Sequence, residues 1–130
     1  MKYINKNKLF FIAVFCMFIT GIGCKKEAGV GGKKIVSGIV YFKNGVTGNN
    51  DIAASARVFI SYGTSDPSAA ADLIIVTGLD GNYKIQGLNK GNYFIKADFT
   101  DGAGFKYSHP GFAVNIKNKK GELKLDMILD

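Results

Sequence analysis

From residue 35 onward the chain runs in short stretches of alternating apolar and polar residues, broken by Gly, Asn and Asp. The stretches are residues 35–43 (IVSGIVYFK), 56–62 (ARVFISY), 72–77 (DLIIVT), 82–86 (NYKIQ), 92–99 (NYFIKADF), 112–117 (FAVNIK) and 122–129 (ELKLDMIL). Side chains two residues apart share a strand face. Val58 and Ile60 therefore share one face, as do Tyr83 and Ile85, the set Tyr93, Ile95, Ala97 and Phe99, and the set Leu123, Leu125, Met127 and Leu129. Residues 72–77 are nearly all apolar. No stretch of this region sustains a 3.6-residue apolar period, and only residues 67–71 (PSAAA) suggest a helical turn. Short strands with regular turn signals predict an all-β fold, an antiparallel β-sandwich of about seven strands with Greek-key connections.

The tripeptide Gly-Asn-Tyr occurs twice, at residues 81–83 and 91–93. In the first, Asp80-Gly81 lies between two strand-like runs. Gly accepts a positive φ at low cost, so this is a tight-turn signal that predicts a hairpin of residues 72–77 with 82–86. The second has the setting Leu88-Asn89-Lys90-Gly91-Asn92-Tyr93, which resembles the tyrosine corner of β-sandwiches. There the chain crosses between sheets and the tyrosine hydroxyl bonds to backbone a few residues upstream, near Leu88 or Asn89. Gly81, Leu88, Gly91 and Tyr93 are thus assigned structural roles. The alternative is a second hairpin, with residues 82–86 beside 92–98.

The positions Gly38, Val40, Ala56, Val58, Asp80, Gly81, Tyr83, Ile85, Gly87, Leu88, Gly91 and Tyr93 resemble a carboxypeptidase regulatory-like domain. The resemblance spans nearly all of residues 35–130 and implies a prealbumin (transthyretin)-like sandwich. Residues 44–55 and 63–71 are longer than the matching loops of the short family version. Such folds serve many tasks, so the resemblance implies a fold more than a function.

The start of the chain has a different layout. Lys2, Lys6 and Lys8 precede an apolar run at residues 9–20 (LFFIAVFCMFIT), followed by Gly21-Ile22-Gly23 and Cys24. This is the plan of a secretory signal peptide, residues 1–23. A helix of that run spans ~18 Å, short of the ~30 Å of a bilayer core. The stretch TGIGCKK resembles a bacterial lipobox, which implies lipidation (palmitate) of Cys24 and a membrane as the first partner. The alternatives are an ordinary secreted protein or an uncleaved anchor. CKKE also resembles the opening of lipoproteins of the Bacteroides and Flavobacterium group, implying the outer membrane. Residues 24–34 read as the lipidated cysteine and a Gly-rich tether reaching ~18 Å, and residues 35–130 as the folded domain.

Composition narrows the chemistry. Cys16 falls in the signal and Cys24 in the lipobox, which leaves no cysteine for disulfides, zinc or nucleophilic catalysis. The net charge of +7 comes mostly from seven lysines before residue 35. The remaining chain carries ten basic and nine acidic residues, which argues against a nucleic-acid partner. His109, beside Pro110, is the only histidine, so neither a metal centre nor a catalytic triad is expected. Transthyretin-related hydrolases use clustered His and Arg with a C-terminal Tyr-Arg-Gly-Ser. This chain has one His, one Arg and the ending MILD. Lys96 and Asp98 have the opposite parity to Tyr93 and Ile95, which leaves no inward Lys–Asp pair for an isopeptide bond. If the strands alternate in direction, residues 44–55, 79–82 and 100–104 share the end far from the tether. These loops carry Asp51, Asp80 and Asp101 and are candidate binding loops. Calcium there is conceivable, although Asp also suits turns locally. Tyr41, Phe59 and Phe94 are candidate outward aromatics. The sequence thus predicts a non-catalytic, cofactor-free binding or structural accessory at the envelope, or alternatively a carbohydrate-binding lipoprotein of a nutrient-uptake system.

Overall fold

The computed structural model describes residues 27–130. The expected signal peptide, Cys24 and the start of the tether lie outside the described residues. The strands, in chain order, are β1 (Val30–Lys43), β2 (Asn50–Ile52), β3 (Arg57–Tyr62), β4 (Leu73–Val76), β5 (Asn82–Leu88), β6 (Gly91–Thr100), β7 (Lys106–Ser108), β8 (Phe112–Ile116), β9 (Lys120–Lys124) and β10 (Met127–Leu129). They form two sheets. In one, β1 is central, flanked by β5 and β2 on one side and by β9 and β10 on the other. In the other the order is β4-β3-β6-β7, and β8 pairs with β6 as well. This is the predicted β-sandwich. Pairing is mainly antiparallel, but β1 runs parallel to both β9 and β10.

The alternating residues meet between the layers. Val36, Val40, Val58, Ile60, Leu88, Tyr93, Ile95 and Leu129 are fully buried. Burying each such side chain contributes ~1.5–3 kcal/mol.

Several elements differ from expectation, each for a local reason. Three strands are added to the expected seven. Asn50–Ile52 is a short strand within the region read as the loop 44–55, Lys106–Ser108 is one in a stretch assigned to no element, and the run at residues 122–129 splits into β9 and β10. At the split, Leu125 and Asp126 step along β1. The Leu125 N–H donates to Ser37 O at 2.7 Å, and the Asp126 carboxylate accepts the Ile39 N–H at 2.8 Å. A side chain thus takes the place of a ladder bond.

β1 also begins at Val30, five residues before the expected domain boundary. The Gly-rich segment read as tether is a β-bulge instead: Val30 and Lys34 both align with Leu88. A Cβ at Gly32 would lie 2.2 Å from the Leu88 carbonyl oxygen, so glycine is what allows this approach. Residues 67–71 form no helix. An Asp66-capped turn, with Ser68 N–H donating to Asp66 Oδ1 at 2.9 Å, stands there.

The hairpin of residues 72–77 with 82–86 is absent, because β4 pairs with β3 while β5 pairs with β1. Gly81 does take a positive φ of 74°, but its turn tucks under β1, where a Cβ would meet Val40 O at 2.9 Å. Asp-Gly specified the turn and not the sheet that follows it. Both Gly-Asn-Tyr segments therefore open a strand that has just changed sheet. Both tyrosines are buried, and both hydroxyls donate to main-chain carbonyls: Tyr83 to Leu125 and Tyr93 to Asn89, the latter at 2.7 Å. Tyr93 Oη also accepts the Gly29 N–H at 2.8 Å, which straps residues 27–30 onto the corner.

Candidate functional site

Because Val58, Ile60, Tyr93 and Ile95 point inward, Arg57, Phe59, Ser61, Phe94, Lys96 and Asp98 occupy the outer face of the second sheet. On β4, Ile74 and Val76 align with Phe59 and Arg57 and extend that face. Half of it is covered. Residues 63–72 fold back over the strands: Ser61 Oγ donates to Ala70 O at 3.0 Å, and Lys96 Nζ donates to Pro67 O at 3.2 Å. Gly111, at φ 98°, presses on the ring of Phe94. Phe94 is only 6% exposed as a result and is no surface aromatic.

The other half of the face stays open as a cleft of about 530 Å³. Phe59 and Ile74 line it with Ala69–Ala71 of the returning loop, Lys96, Ala97 and Asp98 of β6, and Ser108 and His109. Arg57 stands beside the cleft, paired with its Asp98. Its Nε and Nη2 donate to the two carboxylate oxygens of Asp98 at 2.8 and 2.6 Å, and its guanidinium carbon lies 5.2 Å from the Phe59 ring centre. The bidentate pair fixes a planar fork of donors beside an aromatic face. His109 is held as a turn residue. Its Nδ1 accepts the Gly111 N–H at 2.8 Å and its ring stacks on Phe112. Burial pushes its pKa below the usual 6.5, against the opposing charge of Asp130, so the imidazole stays neutral near pH 7. The cleft thus places an aromatic ring next to the Arg57–Asp98 pair, Lys96 and His109, whose remaining hydrogen-bonding capacity faces outward.

A second cleft, of about 370 Å³, lies on the first sheet near Gly38. Within it Ser37 Oγ donates to Glu122 Oε1 at 2.5 Å, holding that carboxyl below its usual pKa, and the Asp126 carboxylate accepts the Ile39 N–H.

The register places the turns after β1, before β5 and after β6 at one end of the sandwich, opposite the N-terminal segment. Asp51, Asp80 and Asp101 sit there, but each is committed to its own loop. Asp51 accepts from Asn44 Nδ2 at 2.9 Å, Asp80 from Asn82 Nδ2 at 2.6 Å, and Asp101 from the Phe105 N–H at 2.9 Å. Among the described residues no group of three or more His, Cys, Asp or Glu is placed to hold a metal ion. The tips of this end instead expose Val46 (92%), Leu79 (90%) and Phe105 (63%). Isolated apolar residues amid Gly, Asn and Asp were the signal for them in the sequence. Tyr41 lies half-buried on the outer face of the first sheet, between Ile52 and Ile128 on the neighbouring strands. The cleft's wall at residues 69–71 carried no comparable signal, because its position depends on how the loop folds back.

No family model and no curated protein matches the chain. Among solved structures, that of a Pseudomonas aeruginosa protein described as a "putative carbohydrate binding protein" superimposes with a TM-score of 0.50. The match covers 76% of this chain and 91% of that one at 14% identity. At that identity the likeness is one of fold.

Proposed function

We propose that the protein is a non-catalytic binding module whose outer-face cleft takes a saccharide. The observation that carries this reading is the cleft on the outer face of the second sheet, where Phe59 lies under the Arg57 guanidinium and next to the Arg57–Asp98 pair. A sugar ring stacks its C–H face on an aromatic plate and presents hydroxyls to charged hydrogen-bonding groups at the rim. A cleft of this size falls within the usual range for small-ligand sites, ~300–1,000 Å³. The description of the structural neighbour as a carbohydrate binding protein is consistent with the same reading. The carboxypeptidase regulatory-like resemblance fits a sandwich of this kind without adding a ligand.

The test is a glycan array followed by calorimetry on its strongest hit. Phe59→Ala is expected to weaken binding about tenfold or more, as for truncation of an aromatic anchor, with an unchanged circular dichroism spectrum. An array without hits would count against the saccharide.

The same proposal places the domain on the outer membrane through a lipid on Cys24. Residues 27–30 are strapped to the domain, so only Lys25 and Lys26 would separate it from the lipid, a reach of ~8 Å rather than ~18 Å. Two or more acyl chains anchor stably where one does not. Cells fed an alkyne-tagged palmitate should label the wild type and leave Cys24→Ser unlabelled. Equal labelling of both would refute the anchor.

A further inference from the structure

We propose that β4 is a dimerisation edge and that its occupant is β4 of a second copy of this chain, paired antiparallel about a two-fold axis through Ile75. This inference does not depend on the saccharide reading.

The first support is the hydrogen-bonding pattern of the strand. Among the described residues β4 pairs with β3 alone, so its other side is a sheet edge there. The Thr77 N–H donates to Ala56 O at 2.9 Å. In an antiparallel ladder, bonded and non-bonded pairs alternate. Thr77 and Ile75 therefore direct their main-chain groups at β3, while Ile74 and Val76 direct theirs at the free edge.

The side chains repeat the same pattern. Ile74 is 53% exposed and Val76 61%, both on the outer face. A two-fold axis at Ile75 sets Ile74 opposite Val76 of the second copy, and Val76 opposite its Ile74. The free N–H and C=O groups of each pair then bond to each other, and two β-branched side chains meet across the seam. One register satisfies both the main chain and the apolar face, which makes the edge complementary to itself.

Nothing on β4 opposes such pairing. Exposed edges are normally protected by charge, proline or a bulge. β5 carries Lys84, and β9 carries Lys120, Glu122 and Lys124. The sequence of β4 is LIIV, with no charge, no proline and no register shift. The pairing would extend the sheet from five strands to ten. Because the axis stands normal to the sheet, both Phe59 clefts would open on the same side. The contact is small, below the ~1,200 Å² of a standard interface, so the dimer is expected to be weak.

Amide hydrogen exchange and sedimentation of the full chain, over a concentration series up to ~1 mM, test this. Protection of the Ile74 and Val76 amides should rise about tenfold or more with concentration, in step with a monomer-to-dimer shift. Ile74→Lys should abolish both effects while its circular dichroism matches the wild type, since that side chain is exposed. Three results would overturn the proposal: unprotected amides at every concentration, protection independent of concentration (the edge being covered by the chain's own segment), or a dimer that survives Ile74→Lys.

Discussion

Gly38→Ala should lower the stability of the domain by about 3 kcal/mol, at the upper end of overpacking costs. A Cβ on residue 38 would stand 2.0 Å from the Leu125 carbonyl oxygen and 2.6 Å from its carbon, which are backbone atoms that no rotamer change can move aside. Leu125 is tied in place three times over. Its N–H donates to Ser37 O, its carbonyl accepts the Tyr83 hydroxyl, and the next residue's carboxylate accepts the Ile39 N–H. Relief of the clash therefore breaks the step between β9 and β10. For a domain of this size the loss corresponds to a fall in melting temperature of about 12 °C or more. Gly102→Ala is the control. A Cβ there meets nothing within 4 Å, and the change should be neutral within about 0.5 kcal/mol. Thermal unfolding of the two variants side by side checks the prediction, and equal melting temperatures would refute the crowding at Gly38.

Tyr93→Phe should cost about 2 kcal/mol, within the range for leaving buried polar groups unpaired. The residue is fully buried. Its hydroxyl serves two main-chain groups, the Asn89 carbonyl and the Gly29 N–H. Phenylalanine fills nearly the same space and satisfies neither. The loss should be visible locally as well, as faster amide exchange at residues 29–31, because the tyrosine is what holds that segment to the corner. If residues 27–34 were a free tether, only the Asn89 bond would be lost and exchange near Gly29 would not change. Burial raises the Tyr93 pKa above its ordinary 10. A raised pKa means the folded state favours the protonated phenol. This contribution is therefore fully present below pH ~10 and is lost as the pH climbs beyond it.

The strand interiors were legible because period-two alternation reports which face is buried. Val58 with Ile60, and Tyr83 with Ile85, point inward as that pattern requires. Connections were less legible, since local chemistry fixes a turn without fixing its destination. Asp80-Gly81 takes the positive φ it was expected to take, yet leads into the opposite sheet. Glycine misled at residues 29–34 for a related reason. A flexible linker and a close approach of two backbones both call for a missing side chain, and only the position of Leu88 distinguishes them. The candidate loops followed from the topology, but their aspartates turned out to serve their own turns. The cleft was the least legible feature. Phe59 could be placed outward from its parity, but the burial of Phe94 and the wall at residues 69–71 arise from the return of a loop whose path no short-range pattern records.

Mapping the saccharide site by amide chemical shifts on isotope-labelled protein, titrated with the strongest array hit, tests the functional reading most directly. Shifts should centre on residues 57–59, 74, 96–98 and 108–109 and vanish in Phe59→Ala. Shifts confined to residues 44–49, 79–82 and 101–105, with Phe59 and its neighbours unmoved, would contradict it and place recognition at the loop end.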